Sequence, residues 1–105
     1  PPPPPPPPSP GPLPPVNFTG VSGPKQTSSS GVFQIQHFNA LAWSATEGAV
    51  AYNIYRDNVY LATTSSLSYT DLDINWKKGY YYSLRAVDAA GNVGSSTIPV
   101  YVSYK

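Results

Sequence analysis

Residues 79–92 read GYYYSLRAVDAAGN, and the alternation inside them decides the fold class. Tyr80, Tyr82, Leu84 and Ala86 share one parity, while Tyr81, Ser83 and Arg85 share the other. Period two over this length is the pattern of a strand with one face turned to a core. Turn formers end it at Asp88-Ala89-Ala90-Gly91-Asn92.

The same reading extends outward. Val16–Val21 alternates and is expected as the first strand. Ser22–Gly31, rich in Gly, Pro and Ser, reads as a loop. Val32–Gln36 is a short strand, His37-Phe38-Asn39 a turn, and Ala40–Ser44 a strand with Leu41 and Trp43 on one face. After a turn at Thr46-Glu47-Gly48, Val50–Arg56 is a strand with Tyr52 and Ile54 inward. Asp57-Asn58 is a two-residue hairpin turn, because both types tolerate positive φ. Val59–Thr63 and Leu67–Thr70 are the next strands, and Asp71–Lys78 is a loop. Thr97–Tyr104 closes the domain, with Pro99 placing it at an edge or bulge, since proline donates nothing to a ladder. Strand after strand, with turns about every 8–12 residues and no helical period, predicts an all-β sandwich of about seven strands.

The chain has 105 residues, enough for one domain. Most of its 14 prolines precede position 16, so residues 1–15 are expected as a polyproline II arm and 16–105 as the folded part. Charged residues are only 10% and the net charge is +1, which provides no field for nucleic acid or anionic lipid. Without cysteine there is no disulfide framework, thiol nucleophile or common zinc knot. No apolar run approaches the ~20 residues of a membrane span. Methionine and a signal peptide are both lacking, so the chain is expected to be a processed product or part of something longer. The low charge and many Ser, Thr, Tyr and Asn residues suggest an extracellular or cell-surface setting.

Four pieces in order resemble a fibronectin type III domain: Leu41-Ala42-Trp43, Tyr52-Asn53-Ile54-Tyr55-Arg56-Asp57, Tyr69-Thr70-Asp71, and Tyr80 through Asn92. The resemblance covers roughly residues 14–104, and the AVDAAGN ending is similar to that of bacterial members. It implies an immunoglobulin-like β-sandwich with Trp43 in the core. It also implies a "tyrosine corner" at Tyr80, whose hydroxyl would bond to backbone, with Ala86 as its marker. The stretch from Val21 to Ala40 is longer than the family's usual link between its first two strands. A fold of this kind implies a spacer or adhesion role rather than a reaction.

Chemistry-bearing patterns are weak. His37 is the only histidine, beside an expected turn, with no nucleophile elbow in the chain. Asp71-Leu72-Asp73-Ile74-Asn75 mimics the start of a calcium loop, but Trp76 stands where glycine is needed and Tyr82 where the bidentate acid should be. The five acids, Glu47, Asp57, Asp71, Asp73 and Asp88, all fall in turns or at strand ends, so no facing carboxylate pair is expected. Phosphate loops and dinucleotide fingerprints are missing, and neither a metal nor another cofactor is expected. Asn17-Phe18-Thr19 is a glycosylation sequon, and the Ser/Thr clusters could carry O-linked sugar.

The tyrosines carry the functional reading. Tyr55, Tyr81 and Tyr101 have the parity opposite to the core residues, and the resemblance implies that their three strands are neighbours in one sheet, so they should form an outward stripe, with Arg85 beside it and Tyr60 near. Two partners suit it. One is a proline-rich segment, so that Pro1, Pro2, Pro3, Pro4, Pro5, Pro6, Pro7 and Pro8 of one copy would dock head-to-tail on the next and build a filament. The other is carbohydrate, as in an accessory module of a polysaccharide-active protein or an adhesin. The self-associating structural module, of filament or surface-layer type, is the main expectation, the carbohydrate module the alternative, and a passive spacer the third reading. None of these readings makes the chain an enzyme.

Overall fold

A computed structural model of the chain describes residues 11–29 and 31–104, with seven strands in two antiparallel sheets. The strands are β1 (Thr19–Ser29), β2 (Val32–Ala42), β3 (Ala49–Arg56), β4 (Val59–Thr64), β5 (Ser68–Asp71), β6 (Tyr80–Asp88) and β7 (Val100–Val102). One sheet has the order β1-β2-β5, the other β4-β3-β6-β7. This is the expected all-β sandwich.

The core follows from alternation on β3 and β6. Tyr52 and Ile54 from β3, and Tyr80, Tyr82, Leu84 and Ala86 from β6, are buried together with Leu41, Trp43 and Val102. Each fully buried aliphatic side chain here contributes on the order of 1.5–3 kcal/mol. Trp43 stands edge-on to Tyr52 with ring centroids 5.6 Å apart and to Phe18 at 6.3 Å. The β3–β4 turn has φ of 52° at Asp57 and 67° at Asn58, the doubly left-handed backbone that a tight right-twisting hairpin needs.

The first sheet departs from expectation. Ser22–Gly31 is not a loop: β1 runs to Ser29, and its Pro24 sits opposite His37. Proline is tolerated there because β1 is an edge strand. His37-Phe38-Asn39 is not a turn either, because all three lie inside β2, with Asn39 paired to both Ser22 and Asp71. Cross-strand pairing with β1 outweighed the turn propensity of the Asn. The first strand begins at Thr19 rather than Val16, since Asn17 takes φ of 58° and breaks the extended run. The last strand is only Val100–Val102, because the chain from Val93 to Pro99 meets β6 through isolated bonds rather than a ladder.

Candidate functional site

The outward face of the four-stranded sheet gathers four tyrosines, Tyr55, Tyr60, Tyr81 and Tyr101. β3 and β6 pair so that Tyr55 lies opposite Ser83 and Asn53 opposite Arg85. β4 places Tyr60 opposite Tyr55, and β7 places Tyr101 opposite Tyr81. The rings therefore form two cross-strand pairs stepped by one outward row, not one straight stripe. Along a strand that step is about 7 Å. Tyr55 and Tyr60 meet edge-on at 6.1 Å, while Tyr81 and Tyr101 are tilted by 51° at 4.8 Å. Tyr60, Tyr81 and Tyr101 are each more than half exposed, at 57%, 55% and 55%, whereas Tyr55 is half-buried.

Polar groups lock the face. Thr63 Oγ1 donates its one proton to Asn53 Oδ1 at 2.7 Å, so the 2.7 Å contact with Tyr60 makes the tyrosine the donor there. The Arg85 guanidinium lies 5.9 Å from the Tyr55 ring centroid, and its Nη1 donates to Gly94 O at 3.0 Å. The Tyr101 ring lies against the backbone of Gly79, where any Cβ would collide with it. The Asp57 amide donates to Tyr81 O at 2.7 Å and Asp57 Oδ1 accepts from the Tyr81 amide at 3.0 Å, which ties the β3–β4 turn to β6 beneath the Tyr81 ring. The arrangement suits stacking and hydrogen bonding to a partner surface.

The expected position of Tyr80 is an inner one: its hydroxyl accepts the Asn75 amide at 2.8 Å, tying β6 to the loop after β5. Asn17 is exposed and donates Nδ2 to Ser44 Oγ at 3.0 Å. Pro1–Pro8 lie outside the described residues. Among the described residues no three His, Cys, Asp or Glu side chains cluster as metal ligands, and no helix is long and apolar enough to cross a membrane.

Sequence reasoning missed two clusters. The first is a buried polar bridge between the sheets. Asp71 accepts from the Tyr82 hydroxyl at 2.6 Å, from Arg56 Nη1 at 3.0 Å and from the Asp73 amide at 3.2 Å. Asn39 Nδ2 completes it by donating to Tyr82 Oη at 2.9 Å. Burial, then the bond to Asp71, pushes the Tyr82 hydroxyl well above the ordinary tyrosine value. Burial pulls the Arg56 guanidinium down, but the bond and charge of Asp71 outweigh it and the net shift is upward. With both carboxylate oxygens engaged inside the sandwich, Asp71 cannot open a calcium loop. Arg56 and Asp71 in the sequence were the available signal, but nothing in one dimension says that they meet. The second cluster is His37 stacked on Trp76 at 4.8 Å, with Tyr104 edge-on at 5.3 Å. His37 is thus a strand residue packed between aromatics, not a loop histidine.

No family model matches the chain. Among curated proteins it is 33% identical over 97 residues to Exoglucanase B of Cellulomonas fimi, a match covering 87% of this chain and 9% of the enzyme. It is 30% identical to Chitinase A1 of Niallia circulans, covering 87% of this chain and 13% of that protein. The chain thus corresponds to a small part of each relative's length. Among solved structures, an Fn3-like protein from Clostridium thermocellum superposes with a TM-score of 0.70 at 25% identity, covering 90% of this chain and 95% of that one. The crystal structure of FN3tt gives a TM-score of 0.57 at 31% identity, covering 90% and 92%.

Proposed function

The chain belongs to the bacterial fibronectin type III-like family of β-sandwich domains, and from that premise we propose that it is a non-catalytic accessory or spacer module of an extracellular polysaccharide-active protein. One observation carries this reading: nearly the whole chain matches a segment that makes up 9% of an exoglucanase. A unit of that size, with its own core, is how a module inserted between larger domains looks. The extracellular setting is supported by the relatives' names, because chitin and cellulose polymers are met outside the cell. Head-to-tail assembly through Pro1–Pro8 draws no support from these relatives. The expected state in light scattering is a monomer, with or without residues 1–15.

The Tyr60–Tyr55 and Tyr81–Tyr101 pairs, with Arg85, form the surface offered to the polysaccharide. Ring faces stack on the apolar C–H faces of sugars, and the stepped, tilted rings favour weak, distributed contact over a single tight subsite. The spacer reading is tested by placing the chain between a hydrolase and a polysaccharide-binding module, against a Gly/Ser linker of equal span. Hydrolysis of insoluble polymer should fall when the linker replaces the chain, while soluble substrate is turned over equally. Equal rates on both substrates would overturn it.

A further inference from the structure

We propose that Trp76 is a second sugar-binding platform, separate from the tyrosine face, and that it takes one pyranose unit of a chain whose ring substituents are all equatorial. Trp76 lies in the loop between β5 and β6 and is 42% exposed, although its ring is packed. The His37 imidazole lies along it, with centroids 4.8 Å apart and the planes 10° from parallel. Tyr104 stands edge-on to both rings, 5.3 Å from His37 and 6.0 Å from Trp76. His37 Nδ1 is buried and has no hydrogen-bond partner, so ring contacts rather than a polar anchor place the imidazole. An indole that only filled space under the loop would be covered. This one is backed by the imidazole and still keeps open surface.

The loop that carries it is fixed. Ile74 packs against the core, and the Asn75 amide donates to the Tyr80 hydroxyl at 2.8 Å. Asn75 then accepts twice: Oδ1 takes the Lys77 amide and the carbonyl takes the Lys78 amide, each at 3.1 Å. Arg56 Nη1 donates to Asp73 O at 2.7 Å. A ring positioned in advance loses little entropy when a ligand stacks on it. The Lys77 ammonium stands 5.6 Å from the indole centroid. Among the described residues the only ion pair is Arg56–Asp71, so no carboxylate holds Lys77 there. Its contact with an exposed ring is weak, and its flexible stem can swing aside while the ammonium donates to hydroxyls.

This chemistry selects the ligand. Equatorial hydroxyls leave axial C–H groups on the faces of a pyranose, so an apolar face meets the indole while the polar rim meets Lys77. Glucose and N-acetylglucosamine units have that form. The choice of these two rests on the reading of the chain as a module of a polysaccharide-active protein, whereas the platform does not.

The test follows acrylamide quenching of tryptophan fluorescence in the full chain, with cellohexaose or chitohexaose in excess. Trp43, the other tryptophan, is 5% exposed, so quenching reports Trp76. Sugar should slow quenching about twofold or more, as the indole is covered. Protection by one sugar alone supports the platform and names its ligand. A Tyr81→Ala, Tyr101→Ala double variant should keep the protection. In that background, Trp76→Ala should weaken binding of the sugar about tenfold or more in calorimetry. His37→Ala, which removes the backing ring, should weaken it about threefold. No protection by either sugar, loss of protection in the tyrosine double variant, or unchanged binding after Trp76→Ala would overturn the platform. Protection is read on the unmodified chain, so it decides even where a variant does not fold. The hydrolysis experiment above can fail while this one holds, and the reverse.

Discussion

β6 and β2 each lie inside their sheet with a hydrogen-bonded neighbour on both sides, yet only β6 reads as one continuous strand, β2 reading as two short strands about a turn at His37-Phe38-Asn39. On β6 the inward residues are buried and Tyr81 is exposed, because one face meets the other sheet and the other meets solvent. On β2 only the last residues, Asn39–Ala42, pair with β5 and reach the core, through Leu41. Earlier in β2 the strand pairs with β1, and Ile35 and Gln36 are both exposed. A strand shows period two only where its two faces meet different surroundings. The difference between the two strands is therefore a difference in what stands behind them.

That contrast can be broken by mutation. Leu84→Ala on β6 should cost about 3–4 kcal/mol in a denaturant melt, as a fully buried side chain leaves a cavity. Ile35→Ala on β2 should cost less than about 0.5 kcal/mol. Similar costs would mean that the hairpin packs against something. Asp71→Ala, which removes the bridge between the sheets, should cost about 3 kcal/mol, because it takes the acceptor from the buried Tyr82 hydroxyl and the counter-charge from Arg56.

Alkali probes the same bridge. The folded-state value of Tyr82 lies above the ordinary 10.0, so its contribution is complete below that pH and is lost as pH rises past it. Stability should fall over roughly pH 10–12, and Tyr82→Phe should flatten that fall. A parent and variant that lose stability with the same slope would remove Tyr82 from the account.

At the outer face the effect on folding should be small, and the effect on binding larger. Tyr81→Ala or Tyr101→Ala should cost about 0.5–1 kcal/mol, the worth of an exposed cross-strand pair, yet reduce retention on cellulose or chitin several-fold. Lost stability with unchanged retention would make the tyrosines purely structural.

The sequence by itself determined the all-β class, the strands from Val50 to Asp88, and the outward parity of Tyr55, Tyr81 and Tyr101. These are local consequences of alternation and of turn chemistry at Asp57-Asn58 and Asp88–Asn92. Tertiary structure alone decided that Pro24 and His37 face each other in a ladder, and that Asp71 meets Arg56 and Tyr82 inside the sandwich. It also decided that the tyrosines split into two stepped pairs. Each of these depends on the register or approach of segments far apart in the chain. That register is set by the summed packing of both sheets, a quantity no local window of residues contains.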